Sequence, residues 1–385
     1  MRAKNSDSVI RLLTAVPICD GHDSAISTIN LEFIRRGIEV IYLGYHRSAR
    51  DIARAAVQED VRAIGISSYN GGHVEFFAEV IDRLKEYGAA DIGVFGGGGG
   101  TITRADERVM KRKGVSRIFF AGTPLDEMVD FVSEKWGGPA PTAAATRSHA
   151  DHRLARLLTK TSLTKAALMG RKAGSKSNAP ISRQRVIGVC GPGGAGKTTL
   201  IDELVLRFLN ENAGMRIAVL SHDPSIVGAG ALLGDRAAML YCQSDRVFMR
   251  SLATSGRSGG LSPATERCLK ILKENRVGGA FDVILVETVG IGQEAVPFVP
   301  GTVDQTVFVM SPEYGSRLQL QKIAMLDAAD VIVVNKSDMA GAKTASSEVD
   351  RRLAMNHRDQ RLVATVAKRH RDSGVNKLFQ TLSSQ

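Results

Sequence analysis

Apolar positions recur along the first 138 residues in two alternating rhythms. Short apolar runs read as strands: VIRLLTAVPI (9–18), IEVIYLG (38–44), VRAIGISSY (61–69), ADIGVFGGGG (90–99) and VSRIFFAG (115–122). Between them, SAISTINLEFIRRG (24–37), RSARDIARAAVQED (47–60) and HVEFFAEVIDRLKEYG (73–88) carry apolar residues at helical spacing, with further helices expected over 104–113 and 124–135. Five such alternations predict a parallel sheet with helices on both faces. The Gly- and Pro-containing stretch GGPAPTAAATRSH ends this pattern near residue 138. A possible helix from Asp151 then precedes RKAGSKSNAPISRQ, which reads as a flexible connector. A second alternating series follows, with strands expected at RVIGVC (185–190), RIAVLSHD (216–223), DVILVETVG (282–290), QTVFVMS (305–311), ADVIVVNKSD (329–338) and RLVATVA (361–367). The expected division is residues 1–138, a basic linker over 139–184, and 185–385.

At 385 residues the chain is long enough for two separate α/β cores. The net charge of +11 is concentrated, since residues 147–185 hold ten Lys or Arg against the single acid Asp151. A basic linker of this kind suits an acidic partner face, a phosphate or RNA, or simply a solvated connector. No nucleic-acid-binding module is visible, so none is expected as a partner. No apolar run reaches the roughly 18 residues that suggest a membrane span, and the start reads as a lead-in to the first strand rather than an export signal. The four cysteines, Cys19, Cys190, Cys242 and Cys268, match no disulfide or zinc framework, which suits a reducing cytoplasm.

Chemistry enters at Gly191-Pro-Gly193-Gly194-Ala195-Gly196-Lys197-Thr198, which fits GxxxxGK[ST] between a strand and the helix TTLIDELVLRFLNENAG. Backbone amides of such a loop surround phosphate oxygens, Lys197 reaches the terminal phosphates, and Thr198, followed by Thr199, offers a hydroxyl to magnesium. Asp223, in Asp-Pro-Ser, and Glu287, in Glu-Thr-Val-Gly290, each follow a strand and suit magnesium directly or through water. Asp223 as a plain helix cap is the alternative. Asn335-Lys336-Ser337-Asp338 follows another strand, where Asp338 can accept from the N1–H and exocyclic amine of guanine. Asn335 and Lys336 would brace the loops and cover the ring. In the first half, Asp20-Gly-His22, Ser67-Ser-Tyr69 and the Gly96–Gly100 run all follow strands. Taken alone, His22 is a metal-ligand candidate or an exposed loop histidine.

The segments SHDPSIVGAGALLGDRAAM, ILVETVGIGQEA, VVNKSD and GVNKLF resemble the GTPase chaperones of adenosylcobalamin-dependent acyl-CoA mutases, of the methylmalonyl-CoA mutase-associated, SIMIBI-like type. The resemblance implies GTP/GDP with Mg2+, Lys197, Thr198, Asp223 and Glu287 around phosphates and metal, and Val366-Ala367 as the last guanine-contacting loop. The first half resembles the flavodoxin-like (Rossmann-like) B12-binding domain. There the motif implies His22 as the cobalt ligand, Asp20 as its support, and Ser67, Tyr69, Gly96 and Gly97 beside the displaced nucleotide tail. Ala25 and Tyr69 stand where the commoner motif has Gly and Leu, as in the fused isobutyryl-CoA mutases, whose N-terminal portion shares this domain order. The resemblance thus implies a cobalamin-binding GTPase that loads, protects or gates adenosylcobalamin for an acyl-CoA mutase barrel, separately encoded or missing from the chain, in a dimeric assembly. Alternatives are a mutase subunit, active in isobutyryl-CoA or methylmalonyl-CoA rearrangement only with its barrel, and a cobalamin-responsive regulator.

Overall fold

The computed structural model describes residues 9–18, 24–69, 71–139, 149–163, 184–225, 229–275, 277–290, 297–315, 323–356 and 358–384. The chain forms two compact units: Met1–Arg183 with Ser225–Ala237 and Ala264–Ala280, and Gln184–Pro224 with Ala238–Pro263 and Phe281–Gln385. The expectation of an uninterrupted 185–385 segment differs from this arrangement. Two excursions of the later chain, 225–237 and 264–280, complete the first unit instead.

The first unit contains β1 (Arg11–Ala15), α1 (Ser24–Arg35), β2 (Glu39–Tyr42), α2 (Ala49–Glu59), β3 (Ala63–Ser67), α3 (His73–Glu86), β4 (Gly93–Gly98), α4 (Arg104–Arg112), β5 (Arg117–Phe120), α5 (Leu125–Trp136) and α6 (Ala150–Leu163). Ser48 and Thr103 start α2 and α4 with capping boxes, each hydroxyl accepting from the backbone of an Asp three residues on, Asp51 or Asp106. The strands are parallel and ordered β5-β4-β3-β1-β2, the flavodoxin-like order, extended at the β2 edge by β8 (Ala231–Leu233). Phe33, Phe95, Phe119 and Trp136 pack under one face of the sheet, and Gly93 admits the Trp136 ring where a Cβ would lie 2.2 Å from it. Within the span expected to be a linker, α6 is a packed helix with Leu154, Ala155 and Leu158 buried. It packs against α2 and against α9 (Thr265–Lys273), where Arg267 donates to the Thr161 carbonyl at 3.2 Å.

The second unit is a seven-stranded parallel sheet ordered β13-β12-β11-β6-β10-β7-β9. Its strands are β6 (Arg185–Cys190), β7 (Ile217–Asp223), β9 (Val247–Ala253), β10 (Val283–Glu287), β11 (Gln305–Met310), β12 (Val331–Val334) and β13 (Arg361–Ala364). Helix α7 (Lys197–Glu211) follows β6 and buries Leu200, Leu204 and Phe208 in the core. Parallel strands covered on both faces read as continuous apolar runs, as β6 and β10 do. The first strand of each unit, β1 and β6, lies inside its sheet with later strands on both sides, so each unit has a switch point at which open α/β sheets hold ligands.

Candidate functional site

In the second unit the loop after β6 turns into α7, and Lys197 at the helix start folds back over it. Its ammonium donates to the carbonyls of Gly191 and Pro192, both at 3.0 Å. Thr198 donates its hydroxyl to Glu287 Oε1 at 2.6 Å, and Ser221 approaches the other carboxylate oxygen at 3.4 Å. Asp223 ends β7, which is joined to β10 through parallel pairing. Of the four residues assigned from sequence to phosphate and metal, Lys197 and Thr198 open α7, and Asp223 and Glu287 end the adjacent strands β7 and β10, with Thr198 and Glu287 in contact. These hard oxygen donors suit Mg2+. Gly290 lies against the phosphate loop: an added Cβ would sit 2.5 Å from Gly193 Cα.

His222 was not among the residues singled out from sequence. Its Nδ1 lies 2.7 Å from the Glu287 carbonyl, which only accepts, so Nδ1 carries the proton. Burial pushes its pKa down to about 4, leaving a neutral ring bonded to the backbone of Glu287. Cys190 is buried at the end of β6 and its thiol is pushed up to about 12 by that burial, so it is a packing residue.

Asn335 ties the loop after β12, assigned from sequence to the base, to the loop after β6. Its Nδ2 donates to the Ala195 carbonyl at 2.9 Å, while its Oδ1 accepts from Thr365 Oγ1 and the Ala367 amide, both at 3.0 Å. Gly196, at φ +88°, must be glycine on two counts, since a Cβ there would also lie 2.4 Å from Asn335 Nδ2. Lys336 adopts φ +58°, a left-handed conformation that costs a non-glycine residue free energy and is found disproportionately at functional sites. Ser337 donates to the Val334 and Thr365 carbonyls, both at 2.8 Å. Asp372 accepts from the Val366 amide at 3.1 Å and caps the last helix, Ser373–Ser383. The Val366 and Ala367 amides are thus engaged within the protein. Lys368 pairs with Asp338 at 2.9 Å; that hydrogen bond, with the added charge of Arg369, holds the Asp338 carboxyl below its usual range. Thr365, Lys368 and Asp372 escaped the sequence reading, although Asp372 ahead of an apolar helix is a recognisable cap signal.

In the first unit a cavity of about 550 Å3 lies between the sheet, α1 and α5. Ser67, Tyr69, Gly96 and Gly97 all line it. Its size is that of a small-molecule site. The glycines are demanded by their neighbours rather than by the space: a Cβ would lie 2.3 Å from the Ile66 carbonyl at Gly96, 2.5 Å from that of Phe119 at Gly97, and 1.8 Å from the Tyr69 ring at Gly99. Thr14, also on the wall, buries a hydroxyl that has no hydrogen-bond partner among the described residues, which fits a polar ligand atom. Asp20 and His22 lie outside the described residues; their segment joins β1 to α1, whose Ala25 and Ile26 line the cavity. Among the described residues no cluster of three or more metal-ligating side chains occurs, and no helix is long and apolar enough to cross a membrane.

The chain is 37% identical over 396 residues to the fused isobutyryl-CoA mutase of Geobacillus kaustophilus, covering 97% of this chain and 36% of that protein. It is 39% identical over 400 residues to that of Cupriavidus metallidurans, covering 97% of this chain and 35% of the relative. The chain thus spans little more than a third of these relatives' length. The mouse mitochondrial methylmalonic aciduria type A homolog is 38% identical over 154 residues, 40% of this chain and 35% of that protein. The B12 binding domain profile matches residues 10–126, and that of methylmalonyl Co-A mutase-associated GTPase MeaB matches residues 154–384. A chain with a flavodoxin-order sheet around a ligand-sized cavity and a P-loop unit knitted by Asn335 therefore belongs to the methylmalonyl Co-A mutase-associated GTPase MeaB family, with a B12 binding domain at its N-terminal side.

Proposed function

We propose that this chain hydrolyses GTP in its second unit in order to load, protect or gate adenosylcobalamin held by its first, on behalf of an acyl-CoA mutase barrel. The observation that carries this reading is the coexistence, in one chain, of the Asn335-braced nucleotide site and the cavity walled by Thr14, Ser67, Tyr69 and Gly97.

At the nucleotide site, Lys197 exchanges its two loop carbonyls for β- and γ-phosphate oxygens, and the amides of 193–197 surround the phosphates. Thr198, Asp223 and Glu287 are the residues that would hold Mg2+, which supplies charge neutralisation for the phosphates. Asp338 takes the guanine edge in place of Lys368, and Lys336 covers the ring. Water attacks the γ-phosphorus and the bridging oxygen leaves with GDP. Preorganised positive charge from Lys197 and the loop amides stabilises that developing negative charge.

At the cavity, Ser67, Tyr69, Gly96 and Gly97 are the residues that would hold the cofactor's nucleotide tail, and His22, supported by Asp20, the one that would ligate its cobalt. When bound, adenosylcobalamin supplies the cobalt–carbon bond whose cleavage starts carbon-skeleton rearrangement. The chain acts in a dimeric assembly in the cytoplasm, with no nucleic acid or membrane partner. A steady-state GTPase assay, with adenosylcobalamin binding followed in the same preparation, tests the reading; a chain that binds cobalamin but turns over no GTP refutes it.

A second reading is favoured by the 97% coverage of this chain by fused isobutyryl-CoA mutases. In it the chain is the cobalamin-binding part of a mutase, and the rearrangement falls to a barrel supplied alongside it. An acyl-CoA isomerisation assay with such a barrel separates the two.

A further inference from the structure

The chain leaves the second unit directly after the Asp223-Pro224 pair, contributes Ser225–Ala237 to the first, and returns at Ala238. Nothing in the nucleotide chemistry demands that detour. Residues 226–228 lie outside the described ones; the rest of the segment is fastened to the first unit at every level. Strand β8 extends the sheet beside β2, with Ala231, Leu232 and Leu233 in parallel register with Glu39, Val40 and Ile41. The Gly230 amide donates to the Ile34 carbonyl at 2.8 Å, and a Cβ at Gly230 would lie 1.9 Å from the Ile38 carbonyl. Arg47 donates to the Ala237 carbonyl at 2.6 Å.

The strongest fastening is Arg236, in the single helical turn Asp235–Ala238. Its side chain is fully buried. Nε donates to Glu59 Oε1 at 3.1 Å, and the terminal nitrogens reach Gln58 Oε1 at 3.2 and 3.3 Å. Glu59, itself fully buried at the end of α2, accepts from Arg11 of β1 on its other oxygen at 2.8 Å. Gln58 donates onward to Asp151 of α6 at 2.9 Å. One arginine from the segment that starts at the nucleotide site is thus set into a polar network joining β1, α2 and α6. Buried ionic networks of this kind are costly to form and intolerant of partial loss, which makes them poor filler and good two-position devices. Strand β1 is also the strand whose Thr14 lines the cavity, and Asp20 and His22 follow it in sequence, outside the described residues.

We propose that Ser225–Ala237 is the strap through which the nucleotide state sensed at Asp223 alters cobalamin affinity, with Arg236 as the positioning residue that makes its movement felt at β1. The proposal rests on the GTP-dependent cobalamin handling proposed above. By linkage, the factor by which a GTP analogue changes cobalamin affinity relative to GDP equals the factor by which cobalamin changes the preference for that analogue.

The test measures the adenosylcobalamin Kd of the full chain with GDP and with a non-hydrolysable GTP analogue, in wild type and Arg236→Gln. The expectation for wild type is a ratio of about fivefold or more. In Arg236→Gln the ratio falls to near one, while cobalamin binding without nucleotide and GTP turnover without cobalamin stay within about twofold of wild type. A merely structural Arg236 would weaken all these quantities together and leave the ratio intact, which overturns the proposal. A wild type that binds both ligands with no ratio at all overturns the functional reading and the strap with it. A ratio that survives in Arg236→Gln overturns the strap alone. Should Arg236→Gln fail to fold, hydrogen exchange on wild type decides. The amides of Ala231–Leu233 must change protection between GDP and the analogue, and identical exchange overturns the proposal.

Discussion

Asn335 and Ala195 stand 140 positions apart in the chain, and the side-chain amide of the first donates to the carbonyl of the second at 2.9 Å. The same side chain accepts from Thr365 and Ala367. The loop after β6 and the loop after β12 are therefore joined through one side chain, which in the proposed reading makes phosphate and base recognition a single unit. Replacing Asn335 by Ala leaves the Ala195 carbonyl, the Thr365 hydroxyl and the Ala367 amide without this partner, at about 1–3 kcal/mol for each group that stays buried and unsatisfied. GTP and GDP affinity should both fall, by roughly tenfold or more, in a fluorescent-nucleotide titration; unchanged affinity would show that the joint is incidental.

Asp338→Asn should exchange base preference. The carboxylate suits the two donors of the guanine edge, whereas an amide offers a donor to the 2-oxo group of xanthine. A site built around such hydrogen bonds rejects the mismatched partner strongly, so XTP should be preferred over GTP by on the order of 10²-fold. Competition binding with the two nucleotides reads this directly, and a retained GTP preference would mean that the base is read elsewhere.

Lys197→Ala should lower GTP turnover by about 10²-fold or more, the usual scale for removing a preorganised charge or donor from a transition state. Cobalamin binding in the absence of nucleotide should be unaffected, because the cavity belongs to the other unit. A variant that keeps wild-type turnover at saturating GTP contradicts the assignment.

Acid sensitivity should trace in part to His222. Its folded pKa, about 4, lies below the ordinary value near 6.5 because burial disfavours the charged ring. Between these values the unfolded chain binds the extra proton. Stability from this group is therefore fully present above pH 6.5 and is lost as pH falls toward 4, at no more than ~1.4 kcal/mol per pH unit. Asp202, raised to about 6 by burial despite accepting three backbone amides, works in the opposite direction over part of the same window. Urea denaturation at pH 7, 6 and 5 should give a shallower acid loss for His222→Gln than for wild type. Parallel curves would show that the ring does not titrate as its surroundings require.

Much of this architecture was legible from residues alone. Each strand and helix expected in the first 138 residues is present, because parallel strands covered on both faces leave apolar runs that nothing interrupts. The phosphate loop was equally plain, its glycines and Lys-Thr pair being dictated by local backbone chemistry. Two strands were not foreseen. β9 (VFMRSLA) is wholly buried, but Arg250 in its middle breaks the apolar run, and a buried arginine is recognisable only once its surroundings are known. β8 has just three residues and takes its meaning from Glu39–Ile41, nearly two hundred positions earlier, a pairing that no local pattern encodes. The same holds for Arg236 and Glu59, and for the bracing of Asn335 by Thr365. The glycines at 96–99 were recognisable as special, but their reason is the nearness of the Ile66, Phe119 and Ser68 carbonyls and the Tyr69 ring, not the space they leave.

The central claim, that one chain holds cobalamin in its first unit under the control of GTP in its second, is tested most directly by visible absorption of the purified chain titrated with adenosylcobalamin. The titration is run without nucleotide, with GDP and with a non-hydrolysable GTP analogue, for wild type and His22→Ala. The account predicts saturable binding to wild type with the spectrum of cobalamin whose own benzimidazole has left cobalt, and an affinity that differs between GDP and the analogue. It predicts weakened binding to His22→Ala, with the benzimidazole retained. A spectrum that stays that of the free cofactor, or wild-type binding identical to that of His22→Ala and indifferent to nucleotide, would contradict it.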